Sequence, residues 1–137
     1  MNTDQDPQIT SLRICVGHRA HMQVVDSATF VAGFGIKGDR HANSTGPGAL
    51  RQVLLIDQRT LTAFDLSHGQ ARENVTVTNI DLHALENGQR LSLGDQVVLE
   101  ITGHCAPCQR MDEIRPGLRR KLVGRRGMLA TVVAGGV

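Results

Sequence analysis

The sequence contains no tryptophan and no tyrosine, and only three phenylalanines among its 137 residues. A core built from it must therefore be aliphatic, and the aromatic platforms on which single-stranded nucleic acid stacks are missing. No stretch approaches the roughly 18 consecutive apolar residues of a membrane-spanning helix. The first ten residues are polar and acidic, which argues against a secretory signal peptide. These absences disfavour a membrane protein and a nucleic-acid-binding protein.

Cysteine is also scarce. Three cysteines are an odd number, which fits a reducing cytoplasm better than a secreted disulfide framework. The length suits one domain that can bury a core without disulfides or a structural metal. We therefore expect a cytoplasmic protein with a disordered lead over residues 1–8 and a single domain over residues 9–137.

Short β-rich segments recur along the chain, at residues 9–16, 24–31, 53–56, 75–78, 91–101 and 128–134. In the fifth segment the apolar residues share one parity, which is typical of a strand with one buried face. Two short helices are predicted, one from the N-cap Asp57 to Gly69 and one from Pro116 to Gly124. The pattern predicts a mainly β fold with short helices (α+β), arranged as a β-barrel or a strongly bent sheet.

A C-x-x-C motif, Cys105 to Cys108, follows the fifth segment. It could be half of a zinc site, but no second C-x-x-C or H-x3–5-H accompanies it. The remaining candidates are Cys15 and scattered histidines, of which His18 and His21 are spaced H-x2-H. It could be a dithiol pair, but a thioredoxin-type motif opens a helix, and the predicted helix begins only near Pro116. Two ordinary loop cysteines are a further interpretation.

The remaining interpretation is that Cys108 is a nucleophilic or sulfur-carrying thiol. The thiolate is the reactive form of cysteine, and nearby cations favour it. Arg110 is close in sequence, and six of the fifteen Lys and Arg residues lie between Arg115 and Arg126. This basic segment, which includes Arg119, could bind a phosphorylated ligand, or it could be a solvated helix face.

Polar groups at predicted strand ends are further candidates for a binding site. In the glycine-rich stretch, Arg40 could pair with a phosphate or carboxylate while Asp39 holds it in place. The alternative is a turn in which Asp39 caps backbone N–H groups and Arg40 is solvated. Two other pairs precede apolar strands, where they could form a site or simply solvate the strand ends. These pairs are Arg51-Gln52 and Glu73-Asn74.

Five motifs occur in a fixed order: Gly35-Ile36-Lys37-Gly38-Asp39-Arg40-His41, Arg51-Gln52-Val53, Glu73-Asn74-Val75, Gly88 with Leu91-Ser92-Leu93-Gly94-Asp95, and Pro107-Cys108. From residue 9 to the end, the ordered set resembles the MOSC domain of molybdenum cofactor sulfurases and stand-alone bacterial proteins. The resemblance implies a barrel-like fold related to the pyruvate-kinase barrel domain. It also implies binding of molybdenum cofactor, with Cys108 as the functional thiol and as the candidate molybdenum ligand. The cofactor-binding residues implied are Gly38, Asp39, Arg40, His41, Arg51, Gln52, Glu73, Asn74, Arg110 and Arg119.

Members of this family deliver sulfur to molybdoenzymes or use the bound cofactor to reduce N-hydroxylated small molecules. The resemblance thus implies a sulfur transferase that carries a persulfide, or a reductase. A chain of this length has no room for a pyridoxal-phosphate desulfurase domain, so a separate cysteine desulfurase would load the sulfur. Cys105 lies outside the family pattern, and a disulfide between Cys105 and Cys108 could protect or regulate Cys108. A non-catalytic phosphoanion-binding module is the alternative, and homodimerisation is left open.

Overall fold

The computed structural model describes residues 7–17, 21–43, 45 and 47–137. This part of the chain forms nine strands: β1 Gln8–Ile14, β2 Gln23–Val25, β3 Phe30–Val31, β4 Gly35–Ile36, β5 Val53–Asp57, β6 Val75–Thr78, β7 Arg90–Leu93, β8 Val97–His104 and β9 Met128–Ala134. Its helices are α1 Gln58–Ala63, α2 Gln109–Ile114 and α3 Leu118–Lys121, with short 3-10 turns at Pro47–Leu50 and Leu82–Ala84. None of the described helices is long and apolar enough to cross a membrane.

Seven of the strands form one sheet in the order β2-β1-β6-β5-β9-β8-β7, and β3 and β4 form a separate hairpin. The neighbours β5 and β6 are parallel, because α1 carries the chain back between them. The other five pairings of these seven strands are antiparallel. The order is linear, with β2 and β7 at its edges. The described residues therefore form an open sheet and not a closed barrel.

The strands that carry the site alternate between buried and more exposed residues. In β8, Val97, Leu99 and Ile101 are buried, and in its partner β9 Met128 and Ala130 are buried. This period of two places one aliphatic face of the sheet in the main core. A second, smaller core packs the helices against the other side of β5: Ile56, Leu61, Leu66, Ala71, Met111, Leu118 and Leu122.

The predicted mainly β fold with short helices is confirmed, whereas the predicted helix boundaries are partly wrong. Asp57 does cap α1, since its Oδ1 accepts the Thr60 N–H at 2.9 Å. That helix ends at Ala63, well before Gly69, and Asp65 takes the left-handed conformation with a φ of 52°. Residues 1–6 of the predicted disordered lead lie outside the described residues, and β1 begins at Gln8.

Helix α2 is absent from the sequence prediction. It begins at Gln109, directly after the C-x-x-C motif, and its one fully buried residue is Met111, while Ile114 packs partly buried against the same smaller core. Six residues with one buried apolar side chain give too little periodicity to predict a helix. Packing against α3 and the core stabilises it instead.

We predict that Gly127→Ala destabilises the fold much more than Gly88→Ala. Both glycines have positive φ, 118° and 92°, so alanine strains the backbone at either position by about 1–2 kcal/mol. A Cβ at Gly127 would also lie 2.7 Å from the Leu55 carbonyl oxygen, whereas nothing lies within 4 Å at Gly88. Urea titration should therefore show a loss above about 3 kcal/mol for Gly127→Ala only. Equal losses would contradict this packing argument.

Candidate functional site

The C-x-x-C motif lies in the loop that connects β8 to α2, and its two cysteines have different environments. Cys105 is buried, and its backbone N–H donates to the Gly127 carbonyl oxygen at 2.9 Å. Cys108 is exposed at the N-cap of α2, where its backbone oxygen accepts the Met111 N–H at 2.9 Å and its thiol makes no capping bond. The fold uses Cys105 for packing and leaves the Cys108 thiol accessible.

This arrangement bears on the dithiol interpretation. A helix does open after the motif, as that interpretation requires, but the exposed cysteine at the helix start is the second one, Cys108. The first, Cys105, is buried, and both are free thiols. The preceding strand β8 pairs antiparallel with both of its neighbours, so the βαβ pattern of thioredoxin-type motifs is absent here.

The zinc interpretation finds no ligand set in the described ranges. No group of three or more His, Cys, Asp or Glu side chains within residues 7–17, 21–43, 45 and 47–137 is arranged to hold a metal ion. Of the pair His18 and His21, His18 lies outside the described residues.

The buried carboxylate of Asp39 organises the glycine-rich loop that contains Gly38. It accepts the backbone N–H groups of Cys15 at 2.6 Å and His41 at 3.0 Å, and the Asn74 side-chain amide at 3.0 Å. Burial alone would raise the pKa of Asp39. The His41 side chain and the two backbone donors outweigh that effect and hold the pKa below its usual value of 3.8. Asp39 is therefore an anion held by donors within the fold.

Asn74 extends this network into the sheet. Its side-chain oxygen accepts the Leu54 N–H at 3.0 Å, and its side-chain nitrogen also donates to the Arg13 carbonyl oxygen at 3.1 Å. One amide thus links β1, β5 and, through Asp39, the glycine-rich loop. Every polar atom of this amide is used by the fold.

Gln52 and Glu73 are buried as well. Gln52 accepts the Val132 N–H at 3.0 Å and donates to the Asn43 carbonyl oxygen at 3.0 Å, which ties β9 to the loop after β4. Glu73 accepts the Gly69 N–H at 2.7 Å through Oε2, while its buried Oε1 has no partner among the described residues. Cofactor contact by the four buried side chains Asp39, Asn74, Gln52 and Glu73 stays a prediction. In the structure, each of them makes hydrogen bonds within the fold.

The other predicted side chains of this group face solvent. Arg40, His41 and Arg51 are exposed, and the Arg40 backbone N–H donates to the Cys15 carbonyl oxygen at 2.7 Å. The network around Asp39 therefore fixes the backbone of the loop while leaving these cationic and titratable side chains at its surface.

Two clefts are lined by residues next to Cys108 in the sequence, Pro107 in one and Arg110 in the other. Pro107 lines one of about 670 Å³, together with the cationic residues Arg119, Arg120 and Lys121. Arg110 lines the other, of about 250 Å³. Its remaining polar lining is His21, His68, Gln70 and Arg72. The sequence did not predict that His68 and Arg72 line a cleft, because residues 68–72 have no motif that distinguishes them from an ordinary loop.

The basic segment from Arg115 to Arg126 divides into parts with different functions. Arg115 donates to the Phe64 and Asp65 carbonyl oxygens, both at 2.9 Å, and so caps the end of α1. Arg125 lies over the Phe64 ring, 5.6 Å from its centre. Arg119, Arg120 and Lys121 are thus the part of the segment that lines a cleft together with Pro107.

Arg126 is the unusual member of this segment. It is only 4% exposed, and its Nε and Nη1 atoms have no hydrogen-bond partner within the described part of the chain. It directly precedes Gly127, whose carbonyl oxygen anchors Cys105. A buried guanidinium with unused donors is costly unless an anion satisfies it. The sequence showed this arginine only as one of a basic cluster.

The fold and the site define a class of protein: a small, mainly β domain that presents one exposed cysteine on a loop whose neighbouring residues line cationic clefts. Comparison with known families agrees, since the MOSC domain model matches residues 45–137, more than half of the chain. The chain belongs to the MOSC domain family. The matched region includes Asn74 and Cys108, whereas the glycine-rich motif at residues 35–41 precedes it.

Solved structures share the fold at low sequence identity. The YuaD protein from Bacillus subtilis superposes with a TM-score of 0.75 at 19% identity, covering 96% of this chain and 91% of that one. YiiM from Geobacillus stearothermophilus gives 0.71 at 13% identity, covering 96% and 70%. YiiM from Escherichia coli gives 0.68 at 12% identity, covering 94% and 64%. Among curated proteins, no sequence matches this chain.

We predict that Asp39→Asn lowers the free energy of unfolding by on the order of 1–3 kcal/mol at neutral pH, because it exchanges an acceptor-only group for one with unsatisfied donors. The Asp39 pKa is lower in the folded protein than in the unfolded chain. Its contribution is therefore present above pH 3.8 and is lost as the pH falls through the lowered folded value.

Urea titrations at neutral pH and at about pH 3 check this prediction. The difference between the wild type and Asp39→Asn should be smaller in acid. Asp26→Asn, at an exposed aspartate after β2, is the control and should be nearly silent at both pH values. A difference that grows in acid would contradict the assignment of Asp39 as a stabilising anion.

Proposed function

We propose that this MOSC protein binds molybdenum cofactor and uses Cys108 as its functional thiol. The observation that carries the proposal is the exposed Cys108 in a loop whose neighbouring residues, Pro107 and Arg110, line clefts that also contain arginines. An accessible thiol and nearby guanidinium groups are the two chemistries that a metal-containing, phosphorylated cofactor requires of its site.

The donor set fits such a cofactor. Cys108 offers a soft sulfur ligand, and its side chain is not engaged in capping α2. Arginines bind phosphate through paired N–H groups, and the presence of Arg119 in one cleft lining and Arg110 in the other supports phosphate binding by these residues. The unused donors of buried Arg126 favour an anion near the same loop. When bound, the cofactor supplies the metal-centred redox chemistry, while the protein binds and orients it.

Two uses of Cys108 are consistent with this site. As a carrier, the Cys108 thiolate takes the outer sulfur of a donor persulfide, which leaves the donor as a thiolate and Cys108 as a persulfide for transfer to a molybdoenzyme. As part of a reductase of N-hydroxylated compounds, Cys108 ligates the metal. The buried position of Cys105 favours a packing function for that residue over a regulatory disulfide.

We predict that Cys108→Ala lowers the affinity for molybdenum cofactor by at least about tenfold, the effect of losing one metal–ligand contact. The purified protein is incubated with the cofactor, and bound molybdenum per chain is measured by elemental analysis. Cys105→Ser is the matched control and should bind as the wild type does, because that thiol is buried. Equal binding by Cys108→Ala and the wild type would contradict the cysteine function.

A separate incubation distinguishes the two uses. The cofactor-free protein is mixed with a small-molecule persulfide, and intact mass is recorded. Addition of one sulfur atom to the wild type, absent from Cys108→Ala, supports the carrier. Stoichiometric cofactor binding without any sulfur addition supports the reductase.

The cationic clefts also support a simpler candidate, a phosphoanion-binding module without chemistry. In that case Cys108→Ala binds the ligand normally, and the arginine variants carry the whole effect. The exposed thiol favours the cofactor function, since a module that recognises only phosphate has no use for it.

We predict that Arg110→Gln or Arg119→Gln weakens cofactor binding by about tenfold to 150-fold, the range expected for one charge-assisted hydrogen bond. The variant with the larger effect identifies the cleft that holds the phosphate. Arg90→Gln is the matched control, because Arg90 is exposed on β7, where it pairs with Glu100 at 3.3 Å. Titrations in low and moderate salt measure the effect. Unchanged affinity in both cleft variants would contradict phosphate binding there.

A further inference from the structure

His83 is a buried histidine that neither the resemblance nor the proposed function uses. It lies in the 3-10 turn Leu82–Ala84, and its side chain is only 8% exposed. Its Nε2 atom accepts the backbone N–H of Gly127 at 3.0 Å. Because a backbone amide can only donate its proton, Nε2 must be the unprotonated nitrogen, and the ring of the neutral histidine carries its proton on Nδ1.

Gly127 connects this histidine to the cysteine loop. Its N–H donates to His83, and its carbonyl oxygen accepts the Cys105 N–H at 2.9 Å. Only glycine fits between these partners, since a Cβ there would overlap the Leu55 carbonyl oxygen. Cys105 is three residues before Cys108, so the chain of contacts from His83 ends at the loop that presents the exposed thiol.

We propose that His83 is a positioning residue for the Cys108 loop, which it holds through Gly127 in its neutral, Nδ1-protonated form. The ring does not need to touch a ligand to do this, because it fixes the backbone segment to which the loop is hydrogen-bonded. The importance of this positioning for cofactor loading rests on the proposed function, whereas the positioning of the loop by His83 does not depend on it.

Charged and titratable groups from five segments face His83. Asp57 at the end of β5 lies 3.8 Å from Nδ1, and the His104 ring at the end of β8 stacks on His83 with centroids 6.0 Å apart. The others are Arg125 before β9, Asp81 before the turn and Arg59 in α1, which lines the same cleft as His83. Burial, His104 and Arg125 lower the pKa of His83, and Asp57 and Asp81 oppose them, with a net lowering from 6.5.

The direction of this shift predicts how the anchor responds to acid. Because the folded protein favours the neutral ring, the anchor is complete at neutral pH and is lost as the pH falls through the lowered pKa. Protonation would put an N–H on Nε2, facing the Gly127 N–H. Two donors cannot bond to each other, so this segment would release the Cys105 amide.

The first test uses the intact wild-type protein and needs no variant. Long-range ¹H–¹⁵N spectra of the histidine rings distinguish the two neutral tautomers. His83 should be Nδ1-protonated at neutral pH. A ring protonated on Nε2 at that pH would overturn the proposal, because it could not accept the Gly127 N–H.

The second test compares His83→Gln with His83→Leu by hydrogen exchange. Glutamine places an amide oxygen near the position of Nε2 and does not titrate, whereas leucine has no acceptor. In His83→Leu the Gly127 and Cys105 amides should exchange about fivefold to tenfold faster than in the wild type, the effect of one lost hydrogen bond. In His83→Gln they should exchange within about twofold of the wild type, since the acceptor is retained.

The Leu99 amide in the buried strand β8 is the reference for global unfolding. The proposal would be overturned if Leu99 exchanged faster in His83→Leu to the same degree as Gly127 and Cys105. It would also be overturned if His83→Gln lost as much protection as His83→Leu. After correction for intrinsic exchange, protection of Gly127 and Cys105 should fall in acid in the wild type and stay level in His83→Gln. A parallel fall in both proteins would also overturn it.

These measurements use cofactor-free protein, so they fail or succeed independently of the proposed function. If Cys108→Ala binds cofactor normally while the exchange results hold, the cofactor function is wrong and the positioning by His83 stands. If Cys108→Ala loses the cofactor but His83→Leu leaves both amides protected, the positioning by His83 is wrong and the cofactor function stands.

Discussion

The hydrogen bond between the buried carboxylate of Asp39 and the side-chain amide of Asn74 is the contact that holds the glycine-rich loop against the sheet. Asp39 closes the glycine-rich loop on Cys15, and Asn74 joins that loop to Arg13 in β1 and Leu54 in β5. Each polar atom is satisfied within the fold, which is what allows a carboxylate to remain ionised in the interior. Loss of either partner would leave a buried group without its hydrogen bond and detach the loop from two strands.

A second, separate set of contacts determines where the cysteine loop lies. The antiparallel pairing of β8 and β9 brings Cys105 against Gly127, and Gly127 in turn reaches His83. The buried first cysteine and the exposed second one follow from this anchoring. The same fold divides the basic segment, since Arg115 caps a helix end while Arg119 lines a cleft together with Pro107.

The low identity to structures of the same fold is consistent with these contacts. At 12–19% identity the chains share an architecture with TM-scores of 0.68–0.75. A strand requires an apolar residue at alternate positions, and many aliphatic residues satisfy that requirement. A position such as Gly127 is far less tolerant, because the Leu55 carbonyl oxygen occupies the space of a side chain.

The sequence by itself determined the mainly β class, the strand faces, the Asp57 cap and the family resemblance, because these depend on local spacing and on residues in a fixed order. It could not predict α2, whose six residues contribute one buried side chain, Met111, and one partly buried side chain, Ile114, to a core assembled from distant segments. Nor could it separate scaffold from surface at the site: Asp39 and Arg40 are adjacent, yet one is buried and the other exposed. Only the tertiary structure decided that Cys108 is the accessible thiol and that His83 reaches its loop. Burial and hydrogen bonding between residues 44 positions apart leave no signal in local sequence.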